Sequence, residues 1–361
     1  MLVALSLCAA LVACSDSSDS ADDDSGGPAV DTSEYQTTAE SFTAEVTEFT
    51  GPTEGSAAVA DKKLMVLSCT QAAEGCALPA AAAVEAAEVL GWEASIFDGQ
   101  GSPDTYNKGI QQAITSGMDG ILLIAISDEL VADAVADARA AGIAVISEDS
   151  VNEPSETGVN FENAARLEDQ AKALASYLIW KNDGKAKVLL MWDREFKSVL
   201  RFNEAFAKEI AACEECELVA EQDFVVTELQ DRVPELVVST LRQEPEINAV
   251  VNFDAPQLFT VPEVKAAGVG DGVLFGGFNG ISPAIDLVRS GDVAATVGQA
   301  MEWAAWASVD AFNRIFAGEE PVDGNVPMRL ITADNVDDVE SGKPWDGDVD
   351  FRAAYRELWG K

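Results

Sequence analysis

Histidine is absent from this chain of 361 residues. Its absence excludes nucleophile arrangements that need an imidazole base, Ser-His-Asp and Cys-His alike, and every metal site that uses a His ligand. Basic side chains are scarce. Lys and Arg number 23 against 63 Asp and Glu, a net charge of −40, and Lys62 is the first of them. Phosphate contacts need a basic face, so no nucleic-acid partner is expected. The acidity extends beyond the first segment and reads as a solvated surface suited to a saline habitat. No P-loop pattern occurs. Gly268-Val269-Gly270-Asp271-Gly272 precedes a predicted strand instead of following one, which excludes a dinucleotide fingerprint. Glu148 and Asp149 are adjacent at a strand end, where neighbouring side chains point opposite ways, so they make no acid–base pair. No cofactor, no metal and no enzymatic activity are therefore expected. The apolar run MLVALSLCAALVAC is too short to span a bilayer, and no other stretch is a candidate.

What is present is a regular alternation. Within 89–150 the chain reads as strand, helix, strand, helix, strand. A short strand at 93–97 ends at Asp98-Gly99. Ser102 caps the next helix with Pro103 at its first position, and Tyr106, Ile110, Ala113 and Ile114 share one face. The run ILLIAI is apolar throughout, as a strand buried on both faces of a parallel sheet is, and IAVIS follows one helix later. Gly91, Gly117 and Gly142 end the successive helices at the spacing of one β-α unit. Such alternation predicts a parallel sheet with helices on both faces and a ligand beyond the carboxyl ends of the strands. Those ends are Ser68-Cys69, Asp98-Gly99, Ser127-Asp128 and Asp149-Ser150.

An extended crossing is predicted at 158–160, then a helix over 162–182, and the rhythm restarts. AKVLLMW ends at Trp192-Asp193-Arg194, a second strand ends near Phe224, INAVVNF ends at Phe253-Asp254, and VLFGGF ends at Asn279-Gly280. The expected fold is therefore α/β, two Rossmann-like lobes joined by three crossings. The boundaries are a leader at 1–14, an acidic disordered tether at 15–61, a first lobe of 62–157 plus 299–330, and a second of 158–298 plus 331–361. The hinge is placed near 158–160, 297–299 and 329–332. Trp303 and Trp306, at helical spacing, are read as core.

The leader ends in Leu11-Val12-Ala13-Cys14, which resembles the bacterial lipobox, whose Cys becomes the lipidated first residue. Lipidation at Cys14 or an ordinary cleaved signal peptide both make this an exported protein, held to the membrane by a lipid anchor alone in the first case. Cysteines of an exported chain pair, so disulfides are expected at Cys69–Cys76 and Cys213–Cys216. Two glutamates inside Cys213-Glu214-Glu215-Cys216 raise thiolate pKa, which argues against a redox centre.

The segments FDGQGSPDTYNKGIQQAITSGMDGILLI, AAGIAVISEDS and VLFGGFNGISPAIDLVRSGDVAATVGQ together resemble the type I periplasmic binding proteins, in the subgroup that binds ribose and galactose. The resemblance covers roughly residues 62–330. It implies a monomeric two-lobed receptor, hinged as a clam, that closes on a small neutral polyhydroxylated ligand and delivers it to an ABC-transporter permease. The alternative role is a sensing subunit that presents its ligand to a membrane kinase or chemoreceptor. By the resemblance, Asp149 matches the carboxylate that accepts from sugar hydroxyls and Gln299 the hinge glutamine. Asn279 stands at the family's Asp before Gly, Phe253-Asp254 replaces an Asn–Asp pair, and Phe224 matches an aromatic. Arg201 is the nearest candidate for a helix-borne Arg. Phe224 or Trp192 would supply the aromatic face for a sugar ring. Ser150 stands where ribose-type members carry Arg, and Ser68-Cys69-Thr70-Gln71 has no counterpart among the usual first-strand residues.

Overall fold

The computed structural model describes residues 30–361; the leader, Cys14 and the first part of the acidic segment lie outside the described residues. Helix α1 (Ser33–Ser41) comes first. The first lobe then runs β1 (Lys63–Ser68), α2 (Glu74–Leu90), β2 (Glu93–Asp98), α3 (Pro103–Ser116), β3 (Gly120–Ile124), α4 (Ala132–Ala140), β4 (Ala144–Glu148) and β5 (Phe161–Asn163). Its sheet has the order β2-β1-β3-β4-β5 and every pairing is parallel. Strands β3 and β4 are buried at every position, which is why GILLI and the first three residues of β4 are apolar without alternation; β4 ends in buried Ser147 and Glu148. Gly91 and Gly117 end α2 and α3 at φ 86° and 66°, a left-handed cap that a side chain would resist. Ser102 precedes α3 as expected, but its carbonyl, not its hydroxyl, receives the first-turn N–H groups of Thr105 and Tyr106.

The second lobe begins with α5 (Leu167–Lys181) and continues through β6 (Lys187–Asp193), α6 (Lys197–Ala212), β7 (Glu217–Phe224), α7 (Arg232–Gln243), β8 (Ala249–Val251), α8 (Asp254–Ala266), β9 (Leu274–Asn279), α9 (Ser282–Arg289) and β10 (Ala295–Gln299). Helix α10 (Met301–Ala317), strand β11 (Met328–Thr332) and helix α11 (Phe351–Leu358) complete the chain. The second sheet has the order β11-β10-β9-β8-β6-β7; all its pairings are parallel except β10 with β11.

Three sequence expectations differ from this arrangement. The first crossing follows β5, because Phe161 pairs with Ile146 and keeps residues 161–163 in the first sheet. Residues 328–332, expected partly as a crossing, form a buried strand of the second sheet, so the third crossing lies before them. A fourth passage returns the chain to the first lobe, where α11 packs on α10 through Trp306 and Trp359, stacked at 5.4 Å. Helix α10 belongs to the first lobe and packs on α2, whose buried face of Ala80, Ala83, Ala86 and Ala87 lets it come close. It is buried around almost its whole circumference, Trp303 and Trp306 included, and its polar residues Ser308, Asp310, Asn313 and Arg314 are buried as well.

Residues 31–61, expected as part of a tether, are packed on the fold. Ala39 is buried, Phe49 stacks on Trp303 at 5.3 Å, and the N–H of Val59 donates to Asn313 Oδ1 at 2.9 Å. Composition understated this segment because its few apolar side chains are widely spaced, yet Tyr35, Ala39, Phe42, Val46, Phe49 and Ala58 pack against the cores. Both expected cysteine pairs lie at bonding distance, with Cα separations of 5.9 Å for Cys69–Cys76 and 5.3 Å for Cys213–Cys216. No described helix is long and apolar enough to cross a membrane.

Candidate functional site

The carboxyl ends of both sheets converge on one cleft between the lobes. From the first lobe it is lined by Cys69 after β1, Gly101 after β2, Ala125 after β3 and Asp149 after β4. From the second come Phe196 after β6, Val226 after β7, Phe253 after β8 and Asn279 at the end of β9. This is where a doubly wound sheet binds its ligand, and here two such sheets face each other. The cavity measures about 110 Å³. At roughly 10–15 Å³ for a single water on this measure, it has room for a small molecule.

Two polar contacts join the lobes beside it. Glu74 at the start of α2 accepts from the backbone N–H of Ser282 at 2.9 Å and from its hydroxyl. Lys197 Nζ lies 2.9 Å from Asp128 and 3.0 Å from Glu129. The lobes are therefore in contact beside the cleft.

Asp149 is the polar centre of the cleft. Its backbone is left-handed, at φ 50°, as are the neighbouring strand ends Ala125 and Asn279, at φ 50° and 106°. Residues held there cost about 1–3 kcal/mol each and persist only where the surroundings impose them. Ser150 supplies part of that constraint: its buried hydroxyl donates to the Glu148 carbonyl and accepts from the Ile126 N–H. Gln299 lies beside the Asp149 carboxyl and favours its charged form, and the Gln299 carbonyl accepts from Gln170 Nε2 at 3.1 Å. Asp149 Oδ1 is buried with no hydrogen-bond partner. A buried carboxylate oxygen without a partner is uncommon and calls for an explanation.

The remaining anticipated residues divide by position. Asn279 and Phe253 line the cleft with Asp149. Phe224 stands behind, stacked on Phe253 with centroids 6.0 Å apart. Asp254 is fully buried below the wall and accepts from the N–H groups of Gly280 and Ile281 and from Thr296, bracing the turn that carries Asn279. In that turn Gly280, at φ 66°, lies so close to β10 that a Cβ would sit 2.5 Å from the Gly298 Cα. Gln299 does not line the cleft and accepts from Gln170 instead. Trp192 donates to Glu221 at 2.7 Å and does not line the cleft. Arg201 is half-exposed and paired with Glu168, away from the cavity. Sequence reasoning missed Tyr106, Phe196, Ser198, Val199 and Leu229, which line the cleft from helices and their entry loops. Nothing in their local sequence separates a cleft-facing residue from a core one.

Burial pushes the Glu148 carboxyl up to about 8, opposed by a hydrogen bond from Ser308. It pushes Asp149 up to about 7, with the nearby Glu162 charge adding to the rise. Both groups hold a proton more tightly folded than unfolded, where they titrate near 4.5 and 3.8. Their effect on stability is therefore a loss as pH rises from about 4 to about 8, and is level outside that window. The urea midpoint should rise when pH is lowered from 8.5 to 6, and Glu148→Gln should flatten that rise. A wild-type midpoint that stays constant or falls on acidification would contradict this.

Residues 66–320 match the periplasmic binding protein domain. The chain belongs to the periplasmic binding protein family. Its fold is shared with solved family structures at low identity. The myo-inositol-binding protein of Caulobacter, solved with myo-inositol, superposes with TM-score 0.70 at 19% identity over 77% of this chain and 95% of that one. An ABC-transporter solute-binding protein from Agrobacterium vitis, with bound allitol, gives 0.69 at 19% over 77% and 97%. A sugar ABC-transporter protein from Yersinia enterocolitica gives 0.71 at 17% over 83% and 95%. No curated protein matches the sequence. Like other periplasmic binding proteins, the chain has two parallel-dominated sheets, with a cleft between their carboxyl ends.

Proposed function

We propose that this periplasmic binding protein is the substrate-binding component of an ABC importer, taking an uncharged sugar or polyol into its interlobe cleft and delivering it to the permease. The unmatched Oδ1 of Asp149 in the cleft wall carries this reading. A carboxylate there accepts from ligand hydroxyls, and Asn279 can donate and accept beside it. No Lys or Arg lines the cavity, which disfavours an anion. The solved structures of similar fold hold allitol and myo-inositol, ligands of this chemistry.

A ligand that binds only the folded state raises the melting temperature, so a thermal-shift panel tests the proposal. Allitol, myo-inositol, D-allose and common pentoses and hexoses with their glycosides should include at least one that shifts it. A shift from free amino acids or organic anions alone would overturn the sugar reading. The chain would work outside the cytoplasm, tethered through Cys14. Cys14→Ser should then move the protein from the membrane to the soluble fraction; a variant that stays with the membrane contradicts the anchor.

A further inference from the structure

The walls of the cleft are far less polar than a fully hydroxylated ring requires. Of the polar side chains placed by sequence, Asp254 is turned inward to the Gly280 and Ile281 N–H groups, Trp192 is committed to Glu221, and Arg201 points outward to Glu168. The polar groups that do line the cavity are Thr70, Glu74, Tyr106, Asp149, Ser198 and Asn279, and the Glu74 carboxylate is already engaged by Ser282. The rest of the lining is apolar, with Phe253 and Phe278 side by side at 6.4 Å and Val199, Leu229 and Ile281 completing that wall. A free hexose or hexitol brings five or six hydroxyls, each both donor and acceptor, and several would face this wall unmatched.

Resting on the sugar-binding reading above, we infer that the cleft is built for a sugar with a substantial apolar part: a glycoside bearing an apolar substituent, or a deoxy sugar. The hydroxylated edge would lie against Asp149 and Asn279 on the strand ends. The apolar part would cover the wall of Phe253, Phe278, Val199 and Leu229. Site groups that are paired by the ligand favour it, while ligand hydroxyls set against hydrocarbon are penalised.

Calorimetric titration of the protein with matched pairs tests this. The pairs are D-glucose, D-galactose and D-ribose against their phenyl β-glycosides, with L-rhamnose and L-fucose as deoxy sugars and allitol and myo-inositol as fully hydroxylated references. The tightest binder should be a phenyl glycoside or deoxy sugar, at least tenfold tighter than the free parent or the references. Leu229→Asn, at a half-buried position, should shrink that ratio. A free hexose, pentose, allitol or myo-inositol that binds as tightly as the best glycoside or deoxy sugar overturns this inference and leaves the sugar reading standing. A ratio unchanged in Leu229→Asn overturns the placement of the apolar part. Absence of binding by every compound overturns the inference together with the sugar reading.

Discussion

Replacing Asp149 by alanine should weaken ligand binding by about ten- to a hundredfold. A hydrogen bond to a charged group contributes roughly 1.5–3 kcal/mol, and each 1.4 kcal/mol is a factor of ten in affinity. Asp149 lines the cleft, is buried, and has an Oδ1 without a partner, with Gln299 beside its carboxyl. Alanine also sits in a left-handed backbone, which costs on the order of 1–2 kcal/mol of stability. Asp149→Asn separates the two effects. Asparagine tolerates that backbone and keeps one acceptor, so it should fold like the wild type and bind with intermediate affinity. Titration calorimetry with the sugar giving the largest thermal shift reads this directly. Wild-type affinity in both variants would remove Asp149 from the site.

The largest loss of stability should come from Trp303→Ala. The Trp303 ring is completely buried between Phe49 and Phe351, both stacked with centroids at 5.3 Å. It therefore joins the segment before β1, helix α10 and helix α11 in one aromatic column. Removing a buried Trp costs roughly 3–5 kcal/mol through lost burial and the cavity left behind. Phe49→Ala, at a half-buried ring, should cost less, and the double variant should lose less than the two separate costs added, because the rings share one contact. Urea unfolding curves measure all three. A Trp303→Ala loss below about 1 kcal/mol would mean that residues 31–61 contribute little to the fold.

The alternation of strands and helices was legible because it depends on short-range pattern. ILLIAI has to be a strand buried on two faces, and Gly91 and Gly117 have to end helices, whatever lies elsewhere in the chain. From that pattern came the two lobes, their parallel sheets and the burial of Trp303 and Trp306; the cysteine pairs came from the reading of the chain as exported. Residues 328–332 escaped because an antiparallel edge strand and a crossing share the same local sequence; the pairing of Ala295 with Thr332 decides between them.

Direction was the part that sequence could not supply for polar side chains. Asp149, Asp254 and Gln299 stand at or just after strand ends, yet of these three only Asp149 lines the cleft. Asp254 finds the Gly280 and Ile281 N–H groups more than twenty residues away, and Arg201 finds Glu168 on another helix. A buried apolar residue needs only to leave water, and its neighbours in the same helix or strand already decide that. A polar residue goes to whichever partner lies within about 3 Å, and only the assembled tertiary structure determines which partner that is.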